Sequence, residues 1–362
     1  MYVPIFKSRS QEHKLFREHS DLFSGNITPL IEVIQLKVKT KEVSISELIE
    51  HYDTILDEYY IDFFTFNKAD YKSFDIYKLQ FSWSLQDEKV YDYDKDLLRH
   101  ASESDCAIPV ISIKKARSFL LDPKKVEYLI HSLQSTSRKI AIRIEAALFD
   151  DYMPLINKNL RPEDTLFFDI NESTIEPFFM QVDTLKSLKG KYTKIVIHSP
   201  RPRAVNNGQY EDGDFTDLID NSLMQHHKNE GFDGYSDYAG LKDGLPTQGG
   251  NGKGAAHVLL FDIRNFKYFS IVNDNTALGV KGYRYVVDKI FDKYLDILDP
   301  YDDCRAIAHI ENQWKYNDTK GNFATWKYVT MLRTLSRIKK VYRRSSVDFF
   351  CRKRIFKKPL VI

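Results

Sequence analysis

The sequence predicts an α/β protein built as a TIM-like (β/α)8 barrel, with a C-terminal β-hairpin and a helical extension. Seven short apolar runs before residue 200 each end in a polar residue and lead into a helical stretch, and an eighth run at 234–238 completes the set. Such units, at intervals of about 25 to 50 residues, are typical of a parallel sheet wrapped by helices. Barrel enzymes keep their sites at the C-terminal ends of the strands, where these polar residues fall.

The predicted strands begin with the first residues of the chain. Helices are predicted between the strands, with Asp122 and Asp214 as acceptors that cap free backbone amides. A Tyr-rich, charged stretch at 71–105 predicts an excursion at the barrel rim. The predicted strands are 3–7, 27–32, 60–67, 108–112, 140–145, 166–171, 195–198 and 234–238, and the predicted helices are 44–56, 123–133, 175–188 and 215–228.

The regular alternation of predicted strands and helices ends after residue 240. A Gly-rich polar stretch at 245–254 predicts a loop, and two β-rich runs around Arg264 and Asn265 predict a hairpin. A helix at 282–298, a short apolar run at 306–310 taken as a late strand, and a final helix at 323–344 follow. We therefore expect a barrel over 1–244, a loop, hairpin and helix over 245–322, and a basic helix and tail over 323–362.

Composition indicates an ordinary globular protein. Of the 362 residues, 43% are hydrophobic and 29% are charged, which argues against disorder. The sequence shows neither a secretory signal nor an apolar run near the roughly 20 residues that cross a bilayer. Three cysteines, Cys106, Cys304 and Cys351, have no metal-like spacing and are most simply reduced thiols. The expected location is the cytoplasm, without a membrane partner.

Alternation along a strand selects the residues that face the barrel interior. In the run 139–145, three isoleucines share the face that belongs under the helices, which turns Arg143 and Glu145 inward. The same argument turns Asp169 and Asn171 inward. Polar residues of four different types are therefore predicted inside the barrel, near its C-terminal end.

The run that ends at His198 is interpreted in the same way. Its two isoleucines, Ile195 and Ile197, are placed outward, which turns His198 inward. The remaining runs end in polar residues at comparable depth. The predicted ring around the barrel mouth contains Lys7, Glu32, Asn67, Ser112, Arg143, Glu145, Asp169, Asn171, His198 and Asp237.

Charges of both signs this close must be paired, hydrated or bound to a ligand, because isolated buried charge is costly. One interpretation is a structural network of salt bridges that fills the barrel. The other is a site for a phosphate-bearing ligand, where Arg143 and Lys7 bind anionic oxygens and His198 or Glu145 moves a proton. In that site the catalytic residues are Glu145, Asp169 and His198, and the ligand-binding residues are Lys7, Glu32, Arg143, Asn171 and Asp237.

A divalent metal ion is compatible with the second interpretation. Glu32, Glu145 and Asp169 offer the hard oxygen ligands that suit Mg²⁺ beside a phosphate. Carboxylates on different strands follow no local spacing rule, however, so the sequence leaves Mg²⁺ dependence open.

The end of the chain is strongly basic. Residues 327–358 hold 12 Lys and Arg against one acidic residue, which leaves 41 basic and 50 acidic residues elsewhere. Apolar residues recur at helical spacing from Tyr328 to Tyr342, and a second stripe is basic. Nucleic-acid contact, docking on a partner protein or on the chain's own acidic body, and a solvated face are the alternatives for this stripe. The stripe consists of Arg333, Arg337, Lys340 and Arg344.

Three short segments of the sequence resemble the "beta protein" family of bacteria and their phages. They are Tyr2 to Lys7, Ile27 to Glu32, and Gly231 to Tyr238, the last followed by the Gly-rich loop and an aromatic hairpin. The resemblance implies a barrel-like fold, a cytoplasmic location and an association with mobile elements or phage-defence neighbourhoods. It implies no established reaction, so it assigns no catalytic residue.

Two functions are therefore expected as alternatives. The first is a barrel module of a phage-defence or mobile-element system that acts with a partner protein, such as a nuclease, and whose charged pocket binds a phosphate-bearing ligand. The second is a hydrolase of the TIM-barrel class that cleaves a phosphoester or nucleotide with the strand-end carboxylates and histidine. Fold alone does not choose between them.

Overall fold

The structure is a computed structural model that describes residues 1–38, 41–63, 97–115, 122–188, 190–245 and 254–355, with the side chains of the last helix described up to Tyr342. The chain divides into two compact units. The first consists of Met1–Asn206 and Asp217–Lys253, and the second of Asn207–Thr216 and Gly254–Ile362.

Eight parallel strands form the centre of the first unit. They follow one another in sequence order around the sheet, and each pairs with the next. The last strand returns to the first: the amide of Val3 donates to the carbonyl of Tyr235 at 2.9 Å, and that of Ile5 to Asp237 at 2.7 Å. A barrel-like α/β fold is thus confirmed. The strands are β1 (Ile5–Lys7), β2 (Leu30–Glu32), β3 (Tyr59–Asp62), β4 (Ala107–Ile113), β5 (Ala141–Glu145), β6 (Thr165–Asp169), β7 (Thr193–Ile197) and β8 (Gly234–Ser236).

Alternate residues of these strands build an apolar core inside the sheet. One buried cluster draws members from all eight strands or the residues beside them, which is possible only on the interior face. The residues between them belong to the other face, where Phe168 meets Phe149, Phe178 and Phe232 edge-on or stacked. The interior cluster consists of Val3, Ile5, Leu30, Tyr60, Ile108, Val110, Ala141, Phe167, Ile195, Ile197 and Tyr238.

Helices of the first unit connect the strands. Ser44 caps the helix Ile45–Asp53 through a capping box with Glu47, in which each side chain accepts from the other residue's backbone amide. Asp122 caps the helix Pro123–Thr136 by accepting from the amide of Lys124. The predicted helix 215–228 is mostly wrong. Asp214 and Phe215 form a short strand, and helix begins only at Ser222. The helices are α1 (Ser10–Glu18), α2 (Ile45–Asp53), α3 (Arg99–Ser102), α4 (Pro123–Thr136), α5 (Phe149–Asn159), α6 (Phe179–Ser187) and α7 (Ser222–His226).

The second unit contains the predicted hairpin. Strands β9 (Ala256–Asp262) and β10 (Lys267–Asn273) pair antiparallel, and Asp214–Phe215 pairs with the outer edge of β10. Asp262 fixes the turn by accepting from Arg264 at 2.9 Å and from Asn265 at 2.7 Å. The hairpin is therefore part of a three-stranded sheet.

Among its described residues the second unit also contains four α-helices: α8 (Tyr283–Lys289), α9 (Leu295–Leu298), α10 (Arg305–Ile310) and α11 (Phe323–Ile355). The prediction of a late strand at 306–310 is wrong, since these residues lie in α10. A five-residue apolar run is compatible with either type of element, and here it packs against α11. Every residue from Tyr328 to Lys339 of α11 is buried.

Candidate functional site

Arg143 lies at the centre of a buried ionic network at the C-terminal end of the barrel. Its guanidinium is bound to Asp169 at 2.7 Å, to Glu32 at 2.7 Å and to Asp62 at 3.1 Å. The hydroxyl of Tyr238 donates to the same Glu32 oxygen at 3.0 Å. None of the three carboxylates is more than 1% exposed. We call Arg143, Glu32, Asp62 and Asp169 the Arg143 network.

The strands position this network through their register. Lys7, Glu32 and Asp62 are aligned on β1, β2 and β3, and Arg143 is aligned with Ser112 on β4. Each follows an apolar residue of the interior cluster by two positions, so it continues the interior face toward the strand end. A layer of charge therefore lies directly above the apolar core.

Burial and the neighbouring cations act in opposite directions on Glu32. Burial alone would raise the pKa of Glu32, but Lys7 and Arg143 outweigh it and hold this pKa below its ordinary value. Burial disfavours charge on Arg143 as well, but Asp169, Tyr238 and Glu32 raise its pKa well above the ordinary value. The network thus keeps its charged forms because each has an opposite charge in contact.

A second group of ion pairs lies beside the Arg143 network. Lys7 binds Glu32 and also Asp243, the latter at 2.9 Å. Arg203 reaches the other oxygen of Asp243 at 3.3 Å and binds Glu172 at 3.0 Å. Lys7 and Arg203 together hold the pKa of Asp243 well below its ordinary value, against the effect of burial. Asp243 therefore stays ionised although it is buried, with only 6% of its surface exposed to solvent.

Sequence reasoning missed six residues of this site: Arg203 and Glu172, which lie in turns after β7 and β6, and four others. Asp62 lies two residues after Tyr60, and strict alternation could have found it, but the strand was predicted to run on to Asn67. Lys114 follows Ser112 on the same face and lies 3.9 Å from Asp169. Tyr238 and Asp243 follow β8 in irregular chain, where no periodicity is available. Asn67 lies outside the residues that the structure describes.

Glu145 and Asn171 are near the network without belonging to it. A carboxylate oxygen of Glu145 accepts from the backbone amide of Lys115 at 3.0 Å. Asn171 adopts a left-handed φ of 54°, and its amide donates to Asp169 at 3.0 Å. Glu145 therefore orders a loop, and Asn171 supports a network carboxylate through its backbone.

The predicted inward position of His198 is wrong. Ile195 and Ile197, which were expected outside, belong to the interior cluster. His198 makes no hydrogen bond to the Arg143 network; Nδ1 of its buried imidazole has no hydrogen-bond partner among the described residues. Burial lowers the pKa of His198 to about 4, against the opposing influence of Asp220 and Asp169. The imidazole is therefore neutral at neutral pH.

Asp237 also lies outside the ring. Its Oδ1 accepts from the hydroxyl of Tyr2 at 2.6 Å and from the amide of Ala239 at 2.8 Å. Tyr2 precedes the interior residue Val3 and stacks on Tyr235, which places this contact on the outer face of the strands. Burial raises the pKa of Asp237 to about 6, and Oδ2 has no hydrogen-bond partner in the described part of the chain.

The three residues of the predicted catalytic set are therefore engaged separately. Asp169 is bound to Arg143, Glu145 to a loop amide, and His198 lies near Asp220. Across the described ranges, no group of three or more His, Cys, Asp or Glu side chains could hold a metal ion. Of the carboxylates considered for Mg²⁺, Glu32 and Asp169 contact Arg143 instead.

The predicted basic stripe of α11 makes contacts within the second unit. Arg333 is 1% exposed and donates to the carbonyl of Phe261 at 2.9 Å and to Sγ of Cys304 at 2.8 Å. Arg337 binds Asp299 at 3.0 Å and Asp303 at 2.8 Å, and Lys340 binds Asp303. The side chain of Arg344 lies outside the described residues. Three of the four stripe residues thus stabilise the folded unit.

Neither Cys106 nor Cys304 forms a disulfide. The side chain of Cys351 is outside the described part. No helix among the described residues is long and apolar enough to span a membrane.

The fold and the site define an α/β barrel-like protein whose strand ends carry a buried ionic network. A family model described as "Beta protein" matches residues 2–191. The chain belongs to the beta protein family, and the match includes β1 to β6 and therefore all four residues of the Arg143 network. No curated protein and no solved structure is detectably similar to the chain.

Proposed function

We propose that this chain is a TIM-like barrel module of a bacterial phage-defence or mobile-element system that acts in the cytoplasm with a partner protein. In this proposal the Arg143 network is structural, and the chain itself does not carry out phosphoester chemistry there. The observation that carries it is the internal pairing of Arg143 with Glu32, Asp62 and Asp169, all nearly inaccessible to solvent.

The chemistry of the network supports this proposal. A general acid or base needs contact with the substrate and a pKa near the working pH. Asp169 is buried against a guanidinium, and His198, with its pKa near 4, is a weak base that makes no hydrogen bond to Asp169. The alternative of a phosphoester hydrolase would require these groups to leave their present partners.

Contact with nucleic acid is proposed for the end of the chain rather than for the whole basic stripe. Arg333 and Arg337 would have to break buried contacts to reach a phosphate, which costs several kcal/mol. Arg344 and the basic residues from Arg352 onward are the candidates that remain.

A matched pair of variants tests the structural role against the catalytic one. Glu145→Gln removes a catalytic candidate that contacts one loop amide, and Asp169→Asn removes a carboxylate of the network. We expect no hydrolysis of p-nitrophenyl phosphate or bis(p-nitrophenyl) phosphate by the purified chain or by either variant. We also expect Asp169→Asn to lower the melting temperature much more than Glu145→Gln.

Phage protection by the complete native locus tests the role in a system. We expect protection to disappear when this chain is deleted and to persist with Glu145→Gln, and we expect the tagged chain to co-elute with the product of a neighbouring gene. Wild-type hydrolysis that falls at least about 100-fold in a folded Glu145→Gln variant would instead establish the hydrolase. Full protection without the chain would refute the module.

A further inference from the structure

An irregular segment at 238–245, called the mouth segment below, follows β8 and carries Asp243 to the barrel's strand ends. Its carboxylate contacts Lys7, the last residue of β1, at 2.9 Å, and Arg203, which follows β7, at 3.3 Å. Lys114, after β4, adds a favourable electrostatic interaction. Cations from three different parts of the barrel thus converge on one carboxylate that no strand holds.

Side-chain contacts hold the mouth segment in place. Arg201 donates to the carbonyl of Gly240 at 3.1 Å, and Lys242 donates to the carbonyl of Arg203 at 3.2 Å. Ala239 has a φ of 49°, a left-handed conformation that is unfavourable for a residue with a side chain. Tyr238 belongs to the interior cluster, but no strand pairing secures the residues from Ala239 to Leu245, so displacement of these seven residues would leave the sheet intact.

The charges at this position depend on Asp243. Two cations, Lys7 and Arg203, contact three carboxylates there, Glu32, Glu172 and Asp243. Glu32 is part of β2 and is held by Arg143 as well, so it cannot leave. Withdrawal of Asp243 would remove one negative charge from two partly desolvated cations. An external oxyanion would replace it favourably.

We propose that Lys7 and Arg203 form an anion subsite for a phosphate group, and that Asp243 occupies this subsite as the chain's own substitute for the ligand. Lysine supplies a point charge and arginine a planar pair of donors, a combination suited to phosphate oxygens. The inference extends the proposed function, because it assigns the phosphate-bearing ligand of the barrel module to a position outside the Arg143 network.

The first test measures binding of inorganic phosphate by calorimetry, with chloride adjusted to constant ionic strength. Asp243→Asn should bind phosphate at least about tenfold more tightly than the wild type, because the intact protein must first open its own pair. Asp183→Asn is the matched control, since it removes a carboxylate whose side chain is 74% exposed, and it should bind as the wild type does. Adding Arg203→Gln to Asp243→Asn should abolish the gain.

Equal phosphate binding by Asp243→Asn and the wild type would overturn the proposal. Acetate that binds Asp243→Asn as tightly as phosphate does would overturn the assignment to phosphate. If Asp243→Asn fails to fold, hydrogen exchange on the wild type decides: phosphate, but not chloride, should accelerate exchange at 238–245. Unchanged exchange at saturating phosphate would refute displacement.

These readouts separate the subsite from the proposed function. Phosphate binding in a chain that the locus does not need for phage protection would refute the module and leave the subsite standing. Protection that depends on the chain, with no phosphate binding in any variant, would refute the subsite and leave the proposed module standing.

Discussion

The interior and the outer face of the barrel strands handle buried charge in opposite ways. On the interior face, Arg143 meets Glu32, Asp62 and Asp169, and burial coexists with ionisation because every charge has a partner. On the outer face, His198 and Asp237 are also buried, but neither forms an ion pair with another described residue. Burial instead lowers the pKa of His198 and raises the pKa of Asp237, and both shifts favour the neutral form.

This difference shows which buried groups can sense pH. A paired group resists titration because losing its charge would strand the partner, whereas a lone group is neutralised within an accessible range. The Arg143 network should thus contribute most to the stability of the fold, and His198 and Asp237 should each contribute to how that stability varies with pH. Three substitutions test this comparison.

Arg143→Met should have the largest effect. It leaves three buried carboxylates without their common cation, and breaking a buried pair of this kind costs about 3 to 5 kcal/mol. The free energy of unfolding from urea titration measures the loss. Arg138→Met is the control, because its side chain is 77% exposed and its contact with Glu58 at 3.4 Å should be worth about 1 kcal/mol or less. Equal losses in the two variants would contradict a structural role for the network.

Sequence patterns correctly placed residues on the interior face of the strands and misplaced residues of the outer face. In β5, Ala141 and Arg143 alternate with two isoleucines, so the polar residue identifies the interior face. In β7, Ile195, Val196 and Ile197 are apolar on both faces, as expected for a parallel strand covered on both sides. Hydrophobicity therefore did not indicate which of these residues lie on the interior side of the sheet, and His198 was misplaced.

The chain that connects the strands was less predictable than the strands. The eight runs, the hairpin and the cap at Asp122 follow from local sequence, and the structure confirms them. Asp243 is different, because its role depends on a segment that returns to Lys7 across more than two hundred residues. Nothing in the sequence near Asp243 distinguishes it from an exposed loop aspartate.

Replacing His198 should change how stability responds to acid. Burial lowers its pKa from 6.5 to about 4, so the unfolded chain binds a proton more readily than the folded one. Its contribution to stability is therefore present above pH 6.5 and is lost as the pH falls toward 4, up to about 3 kcal/mol at 1.36 kcal/mol per pKa unit. His198→Gln should remove this loss, as urea titrations between pH 4 and pH 7 would reveal. An imidazole that titrates near 6.5 by NMR in the folded wild type would contradict the expectation.

Asp237→Asn should produce the opposite and somewhat smaller change. Burial raises its pKa from 3.8 to about 6, so the folded protein binds the proton more readily. Its stabilising contribution is present below pH 3.8 and is lost as the pH rises through 6, by about 2 to 3 kcal/mol.

In the wild type, the stability that Asp237 adds as the pH falls offsets the stability that His198 loses over the same interval. Asp237→Asn should therefore make the chain more sensitive to acid between pH 6.5 and 4, and adding His198→Gln should reverse that added sensitivity. Identical profiles for the wild type and Asp237→Asn would mean that Asp237 is ionised when buried, as the interior carboxylates are.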